Sequence, residues 1–186
     1  MQQLKTALVL LGICLVLGAC RAQPLDSAPP AKFDLSGRWV LLADLSDAPP
    51  NGRRLSTSQA GPQPESRQRR TQRSRRDRGG LAFVAHDFPV MSAQRMTIEQ
   101  NQDSMGIDYD RGRYRDLSWG EKERGLWKVV TGWNDIGDLV SRWSAEDADA
   151  QETYQLSDDG QRLTVLLAVE TGSDKLKLRR VYSKLN

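Results

Sequence analysis

The sequence predicts an all-β domain, an antiparallel meander of about eight or nine strands carrying a disordered arginine-rich loop. Apolar and polar residues alternate with period two through most of the chain after residue 80. Turn-forming triplets sit between those stretches, notably Asp110-Arg111-Gly112, Asp158-Asp159-Gly160 and Gly172-Ser173-Asp174. In such triplets Gly tolerates positive φ and Asp bonds its own backbone. No segment of this region has a long amphipathic helical period, and the short connections favour strands that pair with their sequence neighbours.

Taken in order, the first strand runs from Trp39 to Ala43 and stops before Asp47-Ala48-Pro49-Pro50. The others are Arg95 to Asn101, Met105 to Tyr109, Arg113 to Leu117, Gly125 to Gly132, Asp138 to Ser144, Glu152 to Leu156, Arg162 to Val169 and Lys175 to Tyr182. Leu163, Val165, Leu167 and Val169 share one face of their strand, and Leu176, Leu178, Arg180 and Tyr182 share one face of the last. Trp127 and Val129 lie on one parity, and Trp143 lies with Leu139 opposite Val140. Closing such a sheet on itself would remove the exposed edges that invite aggregation. A folded chain of roughly 150 residues buries enough apolar surface for one core, so residues 34–186 read as a single domain interrupted at 51–80.

The amino-terminal end has a different composition. Lys5 and the free terminus precede an apolar run from Ala7 to Leu17, broken by Gly12 and Cys14 and ending in Leu17-Gly18-Ala19-Cys20. As a helix, eleven residues rise about 16 Å, half of a hydrocarbon core of about 30 Å. That length suits an export signal over residues 1–19 rather than a spanning anchor. The run resembles a bacterial lipoprotein signal, and its last four residues resemble the lipobox. The resemblance implies lipidation of Cys20, cleavage before it and acylation of the new terminus, an anchor of several acyl chains and therefore essentially permanent. It also implies, from Arg21 rather than aspartate after the cysteine, sorting to the periplasmic face of an outer membrane. Residues 20–33, with Pro24, Pro29 and Pro30, read as a flexible lipidated tether. With Cys14 in the leader and Cys20 lipidated, no thiol is left for a disulfide, a thiolate metal site or a nucleophile.

Between Asn51 and Gly80 large apolar residues nearly vanish. Within it, the run 67–78 carries Arg67, Arg69, Arg70, Arg73, Arg75, Arg76 and Arg78 with a single Asp77, for a local charge of +6. Such a segment cannot repay the entropy of ordering and should be disordered when free. Leu81 to Asn186 carries 14 Lys and Arg against 18 Asp and Glu, a charge of −4 with His86 neutral, so the whole-chain charge of +3 hides an acidic domain with a basic loop. Guanidinium forks in that loop suit an anionic lipid, an acidic envelope polymer or an envelope protein. The predicted compartment and the lack of interleaved aromatic residues argue against nucleic acid.

The opening Ser36-Gly37-Arg38-Trp39 resembles the Gly-x-Trp start of lipocalins and other calycins. That resemblance implies a small barrel closed at one end by Trp39 against an arginine of the last strand, Arg179 or Arg180, with Gly37 part of the motif. A different β-barrel or a sandwich remains compatible with the strand pattern. The wider layout, from Leu35-Ser36-Gly37-Arg38-Trp39 through Tyr154-Gln155-Leu156-Ser157-Asp158-Asp159-Gly160 to Arg179-Arg180-Val181-Tyr182, also resembles uncharacterised bacterial envelope proteins and implies an address more than a job.

The sequence offers no catalytic set. His86-Asp87 lacks a nucleophile turn, and Asp108, Asp110 and Asp116 miss the calcium-loop spacing and read as a hairpin. Glu121 and Glu123 alternate with Lys122 and Arg124 and read as a solvated charged turn rather than paired acids. No zinc spacing, phosphate loop or dinucleotide fingerprint occurs, so no metal or cofactor is expected. Trp127 and Trp143 fit strand cores, and Trp119 and Trp133 suit a barrel rim; together the four are candidates to line a cavity for an apolar ligand. The expected function is a non-catalytic binding or envelope-assembly module on the outer membrane. A carrier of a small apolar ligand and an envelope hydrolase are the alternatives, the first requiring a Trp-lined cavity and the second polar groups converging on His86.

Overall fold

The computed structural model describes residues 23–31, 33–50, 87–110, 112–172 and 174–185. Cys20, His86 and the seven arginines between residues 67 and 78 lie outside these. The chain forms ten strands: β1 (Gly37–Leu41), β2 (Arg95–Gln100), β3 (Ser104–Tyr109), β4 (Arg113–Ser118), β5 (Gly120–Arg124), β6 (Trp127–Trp133), β7 (Leu139–Ala145), β8 (Ala148–Leu156), β9 (Arg162–Thr171) and β10 (Asp174–Leu185). All lie in one sheet in the order β4-β3-β2-β1-β10-β9-β8-β7-β6-β5. Each strand from β2 onward pairs antiparallel with a sequence neighbour, except across the β4–β5 junction, and β1 joins the two halves by pairing with both β2 and β10.

The strand absent from the sequence reading is β5. Glu121 to Arg124 form no turn; they pair with Trp127 to Val130, and the turn is Gly125 at φ +62°. Charge alternation there resembles a solvated loop because one face of β5 is wet: Glu121 and Glu123 point outward, with Glu121 Oε1 2.9 Å from Lys128 Nζ. Only a single residue, Trp119, separates β4 from β5. Their main chains do not pair in the ladder, leaving a seam in an otherwise continuous sheet.

The sheet curls into a nearly closed barrel, because side chains from opposite walls meet. Arg115 on β4 is ion-paired with Glu152 on β8, and Phe88, ahead of β2, packs on Trp127 of β6 and Trp143 of β7. Residues opposed in an antiparallel pair project to one face, so the register fixes the interior. It takes Trp39, Met96, Ile98, Met105, Ile107, Tyr109, Leu117, Trp127, Val129, Leu139, Trp143, Tyr154, Leu163, Val165, Leu167, Val169 and Leu178, which belong to one buried cluster. The alternation in β9 and β10 matches the sequence pattern, and a one-residue slip would send each of these side chains to solvent.

Two buried residues stand apart from that cluster. Val181 faces outward under the segment Leu42–Ser46, whose Leu42 N–H donates to the Val181 carbonyl at 2.8 Å. Val140 faces outward on β7 opposite Gly132 and is only 3% exposed. The chain that covers this face is the amino-terminal segment itself. Asp26 and Trp133 exchange both main-chain hydrogen bonds at 2.8 Å, and Arg142 Nη1 donates to the Gln23 carbonyl at 2.6 Å. Residues 23–31 therefore rest on the barrel wall.

Candidate binding cleft

Parity along the edge strands gives four cations the register of inward residues. On β4, Arg113, Arg115 and Leu117 share the inward face, opposite Tyr109, Ile107 and Met105. On β5, Lys122 and Arg124 oppose the inward residues Val129 and Trp127. Four basic side chains thus share the inward parity of the two strands that flank the seam, Arg115 buried and Arg113, Lys122 and Arg124 exposed at the barrel's edge. A compensating acid inside is Glu152, fully buried on β8, and Asp87 lines the cleft as well.

An aromatic triad forms the wall behind them. Phe88 lies edge-to-face on Trp127 at 6.0 Å and on Trp143 at 5.4 Å, and the two indoles meet at 6.2 Å. Edge-to-face pairs of this spacing align ring edge with ring face and add to the area they bury. Arg115 lies across the triad, its guanidinium carbon 5.1 Å from the Phe88 centroid and 4.9 Å from that of Trp143. It also donates to Glu152 and to the Asp87 carbonyl. Trp127 Nε1 donates to Asp87 Oδ2 at 2.9 Å, so Asp87 pins both the indole and the arginine.

This centre is dry. Burial raises the Glu152 pKa, a shift that the Arg115 charge and a hydroxyl of Tyr154 oppose. Burial likewise raises the phenols of Tyr109 and Tyr154, keeping them neutral. For Arg115, burial disfavours the charge, but Glu152, Tyr109, Tyr154 and Asp87 together more than offset it and the guanidinium stays protonated. Among the described residues, Glu152 Oε1 and the Tyr109 and Tyr154 hydroxyls have no hydrogen-bond partner of good geometry.

From this centre a cleft of about 480 Å³ opens at the β5–β6 end of the barrel. Its floor is Arg115, Trp127, Trp143 and Pro89, and its rim includes Arg113, Arg124, Leu126 and Tyr114. Leu126 is 77% exposed and Tyr114 69%, large apolar surface on the lip of an apolar cleft. A second hollow of about 180 Å³ follows the seam, between Asp116, Leu117 and Ser118 on one side and Lys122, Glu123 and Arg124 on the other. The larger volume falls within the roughly 300–1,000 Å³ of small-molecule sites.

The other sequence candidates fall elsewhere. Trp119 and Trp133 meet at 4.7 Å at the far end of the barrel, where Phe33 packs on Trp133 at 6.1 Å. The four tryptophans thus split into two groups, and Trp127 and Trp143 line the cleft. Trp39 is fully buried, and its Nε1 donates to the Leu35 carbonyl at 2.9 Å. The cation over its ring is Lys184, directly opposed in register, with Nζ 5.4 Å from the centroid. Gly37 sits beside the Lys184 side chain at φ +134°. Arg180 points inward and donates to the carbonyls of Asp47 at 2.8 Å and Ala93 at 3.0 Å, tying together the chain on either side of the 51–86 stretch. Arg179 points outward and donates to the Leu45 carbonyl at 3.2 Å.

Asp110 accepts from the Gln94 N–H at 3.1 Å as part of a hairpin. Among the described residues no group of three or more His, Cys, Asp or Glu is placed to hold a metal. The sequence reading missed Arg113, Arg115, Glu152 and Phe88. The signal was present in β4, where Arg115 shares parity with Leu117.

An up-and-down, nearly closed antiparallel barrel with a lateral cleft resembles the calycin fold. No family model matches the chain, and no curated protein does. Solved structures with a similar course include wild-type fluorescent protein UnaG, at 16% identity and TM-score 0.48 over 81% of this chain and 96% of that one. The REP1-NXSQ fatty acid transporter aligns at 15% identity and TM-score 0.47 over 82% and 97%. Apo lipid binding protein 8 of Caenorhabditis elegans aligns at 14% identity and TM-score 0.47 over 81% and 94%. The fold assignment rests on the strand order and register above.

Proposed function

We propose that this chain is a non-catalytic binding module for a small apolar ligand that carries an acidic group, held in the cleft between β4, the β5–β6 turn and β7. One observation carries the reading: an aromatic wall faced by cations of inward parity on both strands that border an unpaired seam. Arg115 is engaged by Glu152 and gives rigidity, whereas Arg113 and Arg124 line the opening together with Asp87. An anionic headgroup there gains charge-assisted hydrogen bonds while its apolar body covers Trp127 and Trp143. We place this activity in the bacterial envelope, with Cys20 lipidated at the periplasmic face of the outer membrane. The support is the Leu17-Gly18-Ala19-Cys20 sequence and Arg21. Envelope-assembly contacts through Arg67 to Arg78 are a separate sequence expectation.

Two fluorescent probes with the same ring system test the ligand chemistry: 1-anilinonaphthalene-8-sulfonate, which is anionic, and N-phenyl-1-naphthylamine, which is not. The expected result is saturable binding of the sulfonate with energy transfer from tryptophan. Arg113→Ala with Arg124→Ala should weaken it about 10- to 100-fold, the range for charged hydrogen bonds, and change the uncharged probe little. Equal effects on both probes, or no saturable binding, would dismiss the acidic-ligand reading. Loss of membrane retention in Cys20→Ala tests the address.

A further inference from the structure

The amino-terminal segment has a docking place on the barrel, and that place has directional consequences. Gly132 and Trp133 lie beyond the part of β6 that β5 covers, since β5 pairing ends at Thr131. Asp26 fills that free edge with two main-chain bonds, and Arg142 fastens Gln23. Gly132 is required by close approach rather than by conformation. A Cβ there would overlap the Asp26 carbonyl and meet the Leu25 Cβ at 3.0 Å. Farther along, the Phe33 carbonyl accepts from Gln100 Nε2 at 2.8 Å, and the Leu35 N–H donates to Gln100 Oε1 at 3.1 Å. The segment is therefore fixed at β6–β7 and again at β2, crossing the Trp119–Trp133 end.

Gln23 lies three residues after Cys20, a reach of about 10 Å for extended chain. A lipid on Cys20 would therefore tether the chain within that reach of the point where Arg142 holds Gln23. The nearby β6–β7 turn presents Ile136, 75% exposed, on the side of Trp133. The cleft lies at the other end of β6, about 20 Å away by strand rise.

We infer that residues 23–31 and 33–35 form an orienting strap that seats the Trp133 end and the Ile136 turn on the bilayer holding Cys20, so that the cleft mouth opens away from that membrane. This rests on the lipidation part of the proposed function and is independent of the ligand. The occupant of the strap end is the anchoring bilayer: the chain leaves toward Cys20 there, and the adjoining turn offers an apolar residue to the headgroup boundary. The cleft then exchanges its ligand with the aqueous compartment or a partner beyond it.

The mature protein has no thiol besides Cys20, so acylated Ile136→Cys and Leu126→Cys variants each take a single environment-sensitive label. In phosphatidylglycerol-containing vesicles with doxyl-labelled lipid, the label at residue 136 should be blue-shifted and quenched, and that at residue 126 unaffected. Gly132→Val should abolish the difference while near-ultraviolet circular dichroism reports a folded barrel. Equal quenching at both positions, persistence of the difference in Gly132→Val, or a mass spectrum without acyl groups on Cys20 would each overturn the inference. Probe binding in solution reads the cleft separately.

Discussion

At the scale of single residues, the decisive group is the Arg115–Glu152 pair, fully enclosed beside Phe88 and Trp143. Taking two charges out of water costs several kcal/mol each, and removing one partner leaves the other unpaired. Arg115→Ala should therefore lose about 3–5 kcal/mol in urea unfolding. The double change Arg115→Met with Glu152→Leu should recover most of that loss, showing that the pair serves the cleft rather than the ledger of stability. The pH response follows from burial raising the Glu152 pKa. Its stabilising contribution is complete below the usual glutamate range, where the acid is protonated in both states, and is lost as pH rises through the folded-state value. Wild type should thus lose urea stability relative to Glu152→Gln as pH increases across that window. A parallel pH dependence in the two proteins would contradict this.

At the scale of elements, period-two patterning located β2, β3, β4, β6, β7 and most of β8 to β10 closely, because each has one wet and one dry face. It failed for β5, where Glu121 to Arg124 are all exposed and the residues opposite the buried Val129 and Trp127 are Lys122 and Arg124, so both faces read as polar. The same blindness hid the candidate site: an inward arginine is indistinguishable from an outward one until register assigns the faces. The amino-terminal segment was also illegible as structure, because two main-chain bonds and a glycine contact leave no side-chain signature. Gly37, by contrast, is legible and accountable. At φ +134° with the Lys184 side chain against its Cα, Gly37→Ala should cost about 1–3 kcal/mol. Thermal unfolding measures this, and an unchanged midpoint would show that β1 starts without strain.

At the scale of the whole molecule, the barrel has two unlike ends. One is crossed by the segment containing Asp26 and Phe33 and packed with Trp119 and Trp133; the other opens through the cation-lined cleft over Trp127 and Trp143. Its acidic composition outside the basic stretch makes the concentration of cations of inward parity at the seam the more informative charge feature. Nitrogen-15 indole spectra during titration with 1-anilinonaphthalene-8-sulfonate show which end of the barrel takes the ligand. Saturable shifts of the Trp127 and Trp143 indole signals are expected, abolished together with binding in the Arg113→Ala, Arg124→Ala protein, while Trp119 and Trp133 stay in place. Shifts confined to Trp119 and Trp133, or spread evenly over all five indoles, would contradict it.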